Sequence, residues 1–400
     1  MDDTINLNNL KVAFSYKQNK ELRYTYYIFK VLQKPFLVKL LSRVATGILK
    51  YHIPVQALIK NTVFKVFCSG ENLSEAFATI KKLDRYHVKS VLDYVAEGEK
   101  NNETFKKNKD IILYNLRKLQ EEAPGNSISV KFTSLEDPEF FKRINKAGSV
   151  MNSSDQARHE ILMRRVESIC SAAFENKIIV YFDAEDRNMQ DIFDRIVEEM
   201  MEKYNKEEAI VYNTLQMYLS DRLPYLDHLL KDSLTKQYFP GIKLVRGAYV
   251  EKERETARLE NRTSPVYPSR EQTDLAFNTA LDLCLKEHTR VYTCIASHNE
   301  QSTLLAVEAI EKYKITDHYK KVKFSQLYGM RDNLTFNLAS TGYNASKYLP
   351  YGNVKKAIPY LIRRAEENSS IGEQLNVELI RLKNELTRRK KSNKEFNHLN

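Results

Sequence analysis

The feature that most constrains the fold is a regular alternation of short β-branched or aromatic runs with longer amphipathic stretches, which begins near Val88. Eight runs have the length and composition of strands. They are Ser90–Tyr94, Ser127–Phe132, Ile178–Phe182, Ile210–Thr214, Ile242–Arg246, Val291–Ile295, Val322–Gln326 and Ser346–Pro350. Helical stretches such as Asp191–Tyr204 and Thr273–Glu287 lie between them. This order predicts an α/β fold with parallel strands, and eight units favour a (βα)8 TIM-type barrel.

An open doubly wound sheet is the alternative. Such a sheet normally carries a glycine-rich fingerprint after its first strand, and SVLDYVAEGEK has none. Residues 21–67 have a helical pattern that Pro35 and Pro54 interrupt. We therefore expect a helical N-terminal extension over residues 1–84, the barrel over 85–372, and a basic C-terminal helix or tail over 373–400.

The net charge of +11 is concentrated at the two ends of the chain. Residues 1–60 carry ten Lys and Arg against three Asp and Glu, and residues 381–400 carry seven against two. A nucleic-acid-binding protein more often carries its positive charge on the folded domain, so we expect no nucleic-acid partner. A basic end beside aromatic residues suggests contact with an anionic membrane, although a solvated helical extension is the favoured alternative. The nearby residues are Tyr24, Tyr26, Tyr27, Phe29, Phe36 and Leu37.

Cysteine usage and hydropathy limit the compartment. The four cysteines show neither paired nor metal-like spacing, which indicates buried thiols in a reducing compartment and no metal site. No apolar run is long enough to cross a membrane. The beginning, MDDTINLNN, resembles neither a secretory signal nor a transit peptide. We expect a cytoplasmic protein. The basic ends suggest, as an alternative, peripheral contact with the inner face of the cytoplasmic membrane.

In a (βα)8 barrel the chemistry lies where the strands end. The predicted strand ends carry charged and amide side chains, and the helix after the last strand adds two arginines. These residues are Lys131, Asp183, Gln216, Arg246, His298, Asn299, Gln326, Tyr348, Arg363 and Arg364. Burying an unpaired charge is expensive, so their coincidence across separate strands points to a site.

Each of these residues also has a structural explanation. Asp183 fits a helix N-cap, Gln216 fits a solvent-facing position, and His298 fits a loop histidine with its hydrogen bonds satisfied. Adjacent arginines, such as Arg363 and Arg364, usually belong to a solvated face. Gly247 and Ala248, after the fifth strand, are small enough for backbone to approach a ligand closely.

Several stretches together resemble the proline dehydrogenases, flavin enzymes with a (βα)8 barrel. The stretches are VLDYVAEGE, ISVKFTSL, VYFDAED, NTLQMYLSDR, KLVRGAYVEKER, SPVYPSREQTD, IASHNE, QLYGMRDN, YLPYG and YLIRRAEENSS. The resemblance covers about residues 65–375 and is nearest to the single-domain, mitochondrial-like branch. Because a transit peptide is not recognisable, we expect a bacterial member.

The resemblance implies oxidation of L-proline to Δ1-pyrroline-5-carboxylate, with FAD as hydride acceptor and a quinone as the usual final acceptor. Arg363 and Arg364 would clamp the substrate carboxylate, and Lys131 would add a third positive charge. Asp183 would balance these cations and position the amine. Tyr348 would pack on the ring of the substrate. In the family, a tyrosine at this position accompanies proline rather than hydroxyproline as the substrate.

The same resemblance implies a flavin site. Lys243 and Arg246 would lie near the flavin N1/O2 side or the pyrophosphate, and Tyr249 beside the ring, so that Asp183, Lys243 and Tyr249 form the expected catalytic set. The expected FAD contacts are Thr214, Gln216, Lys243, Arg246, Gly247, Ala248, Arg270, Ser297, His298, Asn299, Gln326, Leu327 and Glu367. Val250 stands where the bifunctional branch often has tryptophan, and the loop PVYPSREQTD leaves the choice between Ser269 and Arg270 open.

Two other classes stay open on the residues alone. One is a barrel enzyme for a phosphate-bearing substrate that uses His298 as acid and base. The other is a binding module without catalysis that uses its basic ends to contact nucleic acid or membrane.

Overall fold

A computed structural model describes residues 5–34, 36, 59–96, 100–146, 148–370 and 372–398, without the side chains of 366–374 and 393–398. The described chain falls into two compact units. One is Lys89–Ser325, and the other combines the described parts of Met1–Val88 and Gln326–Asn400. The predicted division at residues 84 and 372 stays a prediction.

Eight parallel strands form a closed barrel in the order β1 to β8. The strands are β1 Lys89–Tyr94, β2 Ser127–Lys131, β3 Val180–Asp183, β4 Val211–Gln216, β5 Gly241–Val245, β6 Tyr292–Ala296, β7 Val322–Leu327 and β8 Asn344–Tyr351. Each matches a predicted strand to within about two residues at either end. The (βα)8 prediction is confirmed, and the open-sheet alternative is wrong.

Helices lie before the first barrel strand, between the strands and after the last one. They are α1 Leu10–Ala13, α2 Asn19–Leu32, α3 Lys65–Phe67, α4 Leu73–Asp84, α5 Asn102–Glu122, α6 Pro138–Ile144, α7 Ser153–Glu175, α8 Arg187–Tyr204, α9 Arg222–Thr235, α10 Val250–Leu259, α11 Arg270–Lys286, α12 Glu300–Lys312, α13 His318–Lys321, α14 Asp332–Ser340, α15 Val354–Ser370 and α16 Gly372–His398. Helix α11 begins three residues before its predicted start because Ser269 and Gln272 form a reciprocal capping box.

Strand register determines which site residues become neighbours. Lys131 at the end of β2 lies opposite Asp183 at the end of β3. On β5, Lys243 lies opposite Thr214 of β4 and Cys294 of β6. All six residues of β4 are buried, as expected for a strand covered on both faces.

The N-terminal aromatic residues do not form one exposed surface. Phe29 is buried and packs against Phe67 at a centroid distance of 5.9 Å, so its suggested membrane contact is wrong. Tyr27 and Phe36 are exposed. Leu37, like Pro35 and Pro54, lies outside the described residues. Among the described helices, none combines the length and the apolar composition that a membrane crossing requires.

Candidate active site

A row of alternating charges joins β1, β2, β3 and β5. The Lys131 ammonium lies 2.8 Å from an Asp93 carboxylate oxygen and 3.8 Å from Asp183. The Lys243 ammonium donates to Asp183 at 2.6 Å. The four side chains are at most 12% exposed, which makes pairing necessary for each charge. Parallel strands bring these groups together because their carboxyl ends share one edge of the sheet.

Asp183 is anionic over the whole neutral range. Burial alone would raise its pKa, but the ammonium groups of Lys243 and Lys131 lower that pKa to about 2. The helix-cap alternative for Asp183 is wrong, because Asp186 occupies the N-cap position of α8. Asp183 is therefore an electrostatic group held between two cations.

Two acidic residues of this region escaped the sequence analysis. Asp93 pairs with Lys131, and its signal was a carboxylate inside the otherwise apolar end of the run SVLDY. Glu185 accepts hydrogen bonds from the Thr133 hydroxyl at 2.6 Å and from the Thr133 backbone N–H at 3.1 Å. Gln216 donates to the Glu185 carbonyl at 2.7 Å and is buried, so its solvent-facing alternative is wrong.

Two hydroxyl groups near the end of β4 are buried without a hydrogen-bond partner among the residues that the structure describes. They are the Thr214 Oγ1 and the Tyr218 hydroxyl. Burying a polar group without a hydrogen-bond partner costs folding free energy, so such a group is a candidate for a hydrogen bond to a ligand. The Thr214 hydroxyl, on the strand position opposite Lys243, therefore fits a polar ring edge such as that of a flavin.

Gly247 is required by its backbone conformation and by a neighbouring side chain. Its φ is +114°, and a Cβ atom there would lie 1.8 Å from Tyr218 Cδ1. The group that approaches this glycine closely is thus the Tyr218 ring. Ala248 is exposed and Tyr249 is partly buried, at the point where α10 begins.

Arg246 is held by a set of polar side chains. Its guanidinium contacts Asp274 at 2.5 Å, Ser297 Oγ at 2.6 Å and Ser302 Oγ at 2.8 Å. It also lies 4.3 Å from the centroid of the Phe277 ring. These contacts fix the orientation of a cation immediately after β5.

The other predicted residues of this unit differ in burial and in hydrogen bonding. Asn299 caps α12, because its side-chain oxygen accepts from the Ser302 N–H at 3.0 Å. Arg270 is exposed, with its Nε 4.0 Å from Asp274, whereas Ser269 caps α11. His298 is partly buried. The structure thus brings Arg246 and Ser297 into contact and leaves Arg270 at the surface.

In the second unit, Gln326 is buried and its side-chain oxygen accepts from Thr335 at 2.8 Å. Leu327 is partly buried, and Tyr348 is buried. Arg364 is also buried and lies 5.5 Å from the Tyr360 ring centroid, so the solvated-face alternative is wrong for this residue.

Arg363 of the same helix is partly buried. The Glu367 side chain lies outside the described residues. The convergence of Arg363, Arg364 and Tyr348 on Asp183 stays a prediction.

A closed (βα)8 barrel with buried, paired charges at its strand ends is the architecture of a barrel enzyme. A family model described as Proline dehydrogenase matches residues 76–377. The chain therefore belongs to the proline dehydrogenase family and is an oxidoreductase. This excludes a binding module without catalysis.

Curated relatives agree with this assignment, and a solved structure shares the fold. The chain is 31% identical to "Proline dehydrogenase 1, mitochondrial" of Dictyostelium discoideum, over 97% of this chain and 76% of the relative. It is also 31% identical to "Carbapenem antibiotics biosynthesis protein CarD" of Pectobacterium carotovorum, over 84% and 86%. Proline utilization A (PutA) from Bdellovibrio bacteriovorus has the same fold, with a TM-score of 0.71 and 20% identity, over 90% of this chain and 38% of that one.

Proposed function

We propose that this protein oxidises L-proline to Δ1-pyrroline-5-carboxylate, using FAD as the hydride acceptor. The observation that carries the proposal is the buried row Asp93–Lys131–Asp183–Lys243 at the strand ends of a barrel from the proline dehydrogenase family. Two relatives, from Dictyostelium discoideum and Drosophila melanogaster, are both named "Proline dehydrogenase 1, mitochondrial". Bacterial origin stays a prediction.

The charges in the row define how a zwitterionic substrate would bind. Two lysines face two aspartates, so the row is neutral as a whole and does not by itself attract the substrate carboxylate. Arg363 and Arg364 would supply the missing positive charge as a clamp with fixed geometry. Asp183 would then accept a hydrogen bond from the substrate amine.

Asp183 would act through its charge rather than as a base. With a pKa of about 2 it is a poor proton acceptor at neutral pH. The amine of free proline is protonated and must lose that proton to solvent before reaction. Ring carbon C5 would then lose a hydride as the nitrogen lone pair forms the C=N bond, and the cationic N–H that results would release its proton to solvent. Asp183 would stabilise the positive charge that develops on nitrogen.

FAD, when bound, would supply the acceptor for that hydride. Thr214 would offer its hydroxyl group to the flavin edge, since this group lacks a described partner. Arg246 would present a cation already oriented by Asp274 and Ser297. Lys243 lies opposite Thr214 in the sheet and pairs with Asp183, so it links the expected cofactor side to the expected substrate side.

An absorption spectrum of the purified protein tests the proposal. We expect flavin bands that bleach under anaerobic conditions when L-proline is added, and that do not bleach in an Asp183→Asn variant. A protein that binds no flavin after incubation with FAD, or a bound flavin that proline leaves oxidised, would overturn it. Either of these results would favour a barrel enzyme for a phosphate-bearing substrate with His298 as acid and base.

Reoxidation would require an acceptor, and we propose a membrane quinone. Support comes from the exposed basic residues Lys20, Arg23 and Lys30 on α2 and Lys34 just after it, with exposed Tyr27 on the same helix. Deleting residues 1–60 would also remove buried Phe14 and Leu22, so a charge reversal of the four cations is the sharper test. Unchanged co-sedimentation with anionic liposomes after this reversal would contradict membrane docking through α2.

Oxidation of a hydroxylated proline is the second candidate. The chain is 28% identical to "Hydroxyproline dehydrogenase" of Xenopus laevis, over 83% of this chain and 78% of that relative. Tyr348 would favour proline, since in the family that the chain resembles a tyrosine at this position accompanies proline rather than hydroxyproline. Comparing kcat/KM for the two substrates decides between them.

A further inference from the structure

The N-terminal strap, residues 5–17, ends on a buried carboxylate far away in the sequence. One Asp332 oxygen accepts from the Tyr16 hydroxyl at 2.9 Å and from the Lys17 ammonium at 2.8 Å. The other oxygen lies 2.9 Å from the Lys347 ammonium. Two cations from opposite ends of the chain therefore share one buried carboxylate.

Lys347 connects this carboxylate to the strand that carries Tyr348. Its side chain is fully buried in β8, and it also donates to the Met330 carbonyl in the loop after β7. Helix α14, which begins with Asp332, packs on β8. Because side chains alternate along a strand, Tyr348 points away from the face that Lys347 uses. The Tyr348 carbonyl accepts from the Tyr328 N–H at 3.0 Å, which ties the same loop to the same strand.

The strap is packed along its length. Tyr16 stacks on Phe336 with a centroid distance of 4.3 Å and an interplanar angle of 12°. Asn333 donates to the Leu7 carbonyl at 3.2 Å, and Arg389 of α16 donates to the Phe14 carbonyl at 2.7 Å. These contacts leave the strap little freedom, so a displacement at Lys17 would be transmitted to Asp332.

We propose that the N-terminal strap determines the position of Tyr348 through Asp332 and Lys347, so that Lys17 and Asp332 are positioning residues for discrimination of the substrate ring. Only the kinetic consequence of this inference rests on the proposed function. Lys17 supplies one of the two ammonium groups that contact the Asp332 carboxylate. Without it, Asp332 and Lys347 rearrange, and with them the loop after β7 and the backbone of β8.

The test compares Lys17→Met with Lys17→Arg, Tyr16→Phe and Tyr86→Phe in the full-length protein loaded with FAD. Lys17→Arg keeps the charge. Tyr16→Phe removes one bond to Asp332 but keeps the ring on Phe336. Tyr86→Phe is the matched control, because its hydroxyl meets the strap at the Ser15 carbonyl, 3.4 Å away, and does not touch Asp332.

Two measurements are made on each variant. Hydrogen exchange by mass spectrometry follows the Tyr328 amide, which reports the link to β8 and needs no catalysis. The ratio of kcat/KM for L-proline to kcat/KM for trans-4-hydroxy-L-proline reports ring discrimination. We expect Lys17→Met to speed exchange at Tyr328 and to lower the ratio by about fivefold, with a smaller change for Tyr16→Phe. We expect wild-type behaviour from Lys17→Arg and Tyr86→Phe.

A loss of activity in Lys17→Met with an unchanged ratio and unchanged Tyr328 exchange would overturn the proposal, since this is the result of a merely structural strap. A Lys17→Met protein that does not fold leaves Tyr16→Phe to decide, and wild-type values of both measurements in that variant would also overturn it. If the wild-type protein oxidises neither substrate, the proposed function fails, and the exchange measurement alone then supports or overturns the strap.

Discussion

Lys243 and Asp183 make an ion pair of 2.6 Å although β4 lies between their two strands in the sheet. The pair therefore crosses the inner face of the barrel wall instead of linking adjacent strands. Lys131 approaches the same carboxylate from the neighbouring β2. A carboxylate shared by two buried ammonium groups keeps its charge under conditions in which a catalytic base would be protonated.

Replacing Asp183 by Asn should destabilise the protein by about 3 kcal/mol at pH 7, because Lys131 and Lys243 lose their shared counter-charge. The sign of the pH dependence follows from the lowered pKa. The ionised Asp183 stabilises the fold above about pH 4, where the unfolded carboxyl is also ionised, and this stabilisation is lost as the pH falls toward 2. Urea unfolding at several pH values should show the two proteins converging in acid. Asp227→Asn, in an exposed pair with Lys231, is the control and should change stability by less than about 1 kcal/mol.

Removing both arginines of α15, as Arg363→Ala with Arg364→Ala, should raise the KM for proline and lower kcat/KM by an amount equivalent to about 2–4 kcal/mol. The physical reason is the loss of the charged clamp on the substrate carboxylate. Steady-state kinetics on protein with confirmed flavin content measures the effect. Lys355→Ala with Lys356→Ala removes two exposed cations from the same helix and should leave the KM unchanged. A wild-type KM in the arginine variant would refute the clamp.

Replacing Thr214 by Val should separate cofactor binding from folding. Its buried hydroxyl has no partner among the described residues, so its loss should leave the flavin-free protein as stable or more stable. The same change should weaken FAD binding, by about three- to tenfold for one hydrogen bond. Titration with FAD and thermal unfolding of the apoprotein give the two values. Ser90→Ala removes another buried hydroxyl without a described partner, near the start of β1, and should leave FAD affinity unaltered.

Gly247→Ala should be far more harmful than Gly148→Ala. Both glycines have positive φ, at +114° and +73°, so both substitutions strain the backbone. Only at Gly247 does the new Cβ meet a ring, that of Tyr218, whereas nothing lies within 4 Å at Gly148. We expect an additional cost of about 1–3 kcal/mol and a loss of bound flavin for Gly247→Ala. Equal melting temperatures of the two variants would show that the Tyr218 contact is unimportant.

Lys323→Met should stabilise the protein at neutral pH. Burial lowers the pKa of Lys323 to about 8, so the folded state binds its proton less tightly than the unfolded state. The wild-type penalty is complete below pH 8 and disappears as the pH rises toward 10.5, where the unfolded lysine also loses its proton. We expect a gain of about 1–3 kcal/mol at pH 7 that shrinks between pH 8 and 10.5. Lys320→Met, at an exposed lysine nearby, should give no such pH-dependent gain.

The proximity of several predicted residues follows from barrel geometry, which places strand ends together. The residues at the ends of β2, β3 and β4 needed only the alternating pattern and the rule that chemistry lies at those ends. Asp93 and Glu185 were missed because neither carries a local signal stronger than a single carboxylate beside an apolar run. The reason for Gly247 was also missed, since the ring it accommodates belongs to Tyr218, in the turn that follows the neighbouring strand β4.

The amino-acid sequence by itself determined the eight strands, the helices between them and the family, because hydrophobic period and short motifs are local properties of the chain. Only the tertiary structure decided which charges pair. Lys243 lies 60 residues from Asp183, and Lys17 lies 315 residues from Asp332. Partner choice for a buried charge depends on strand register and on which groups are desolvated together, and neither quantity exists until the chain has folded.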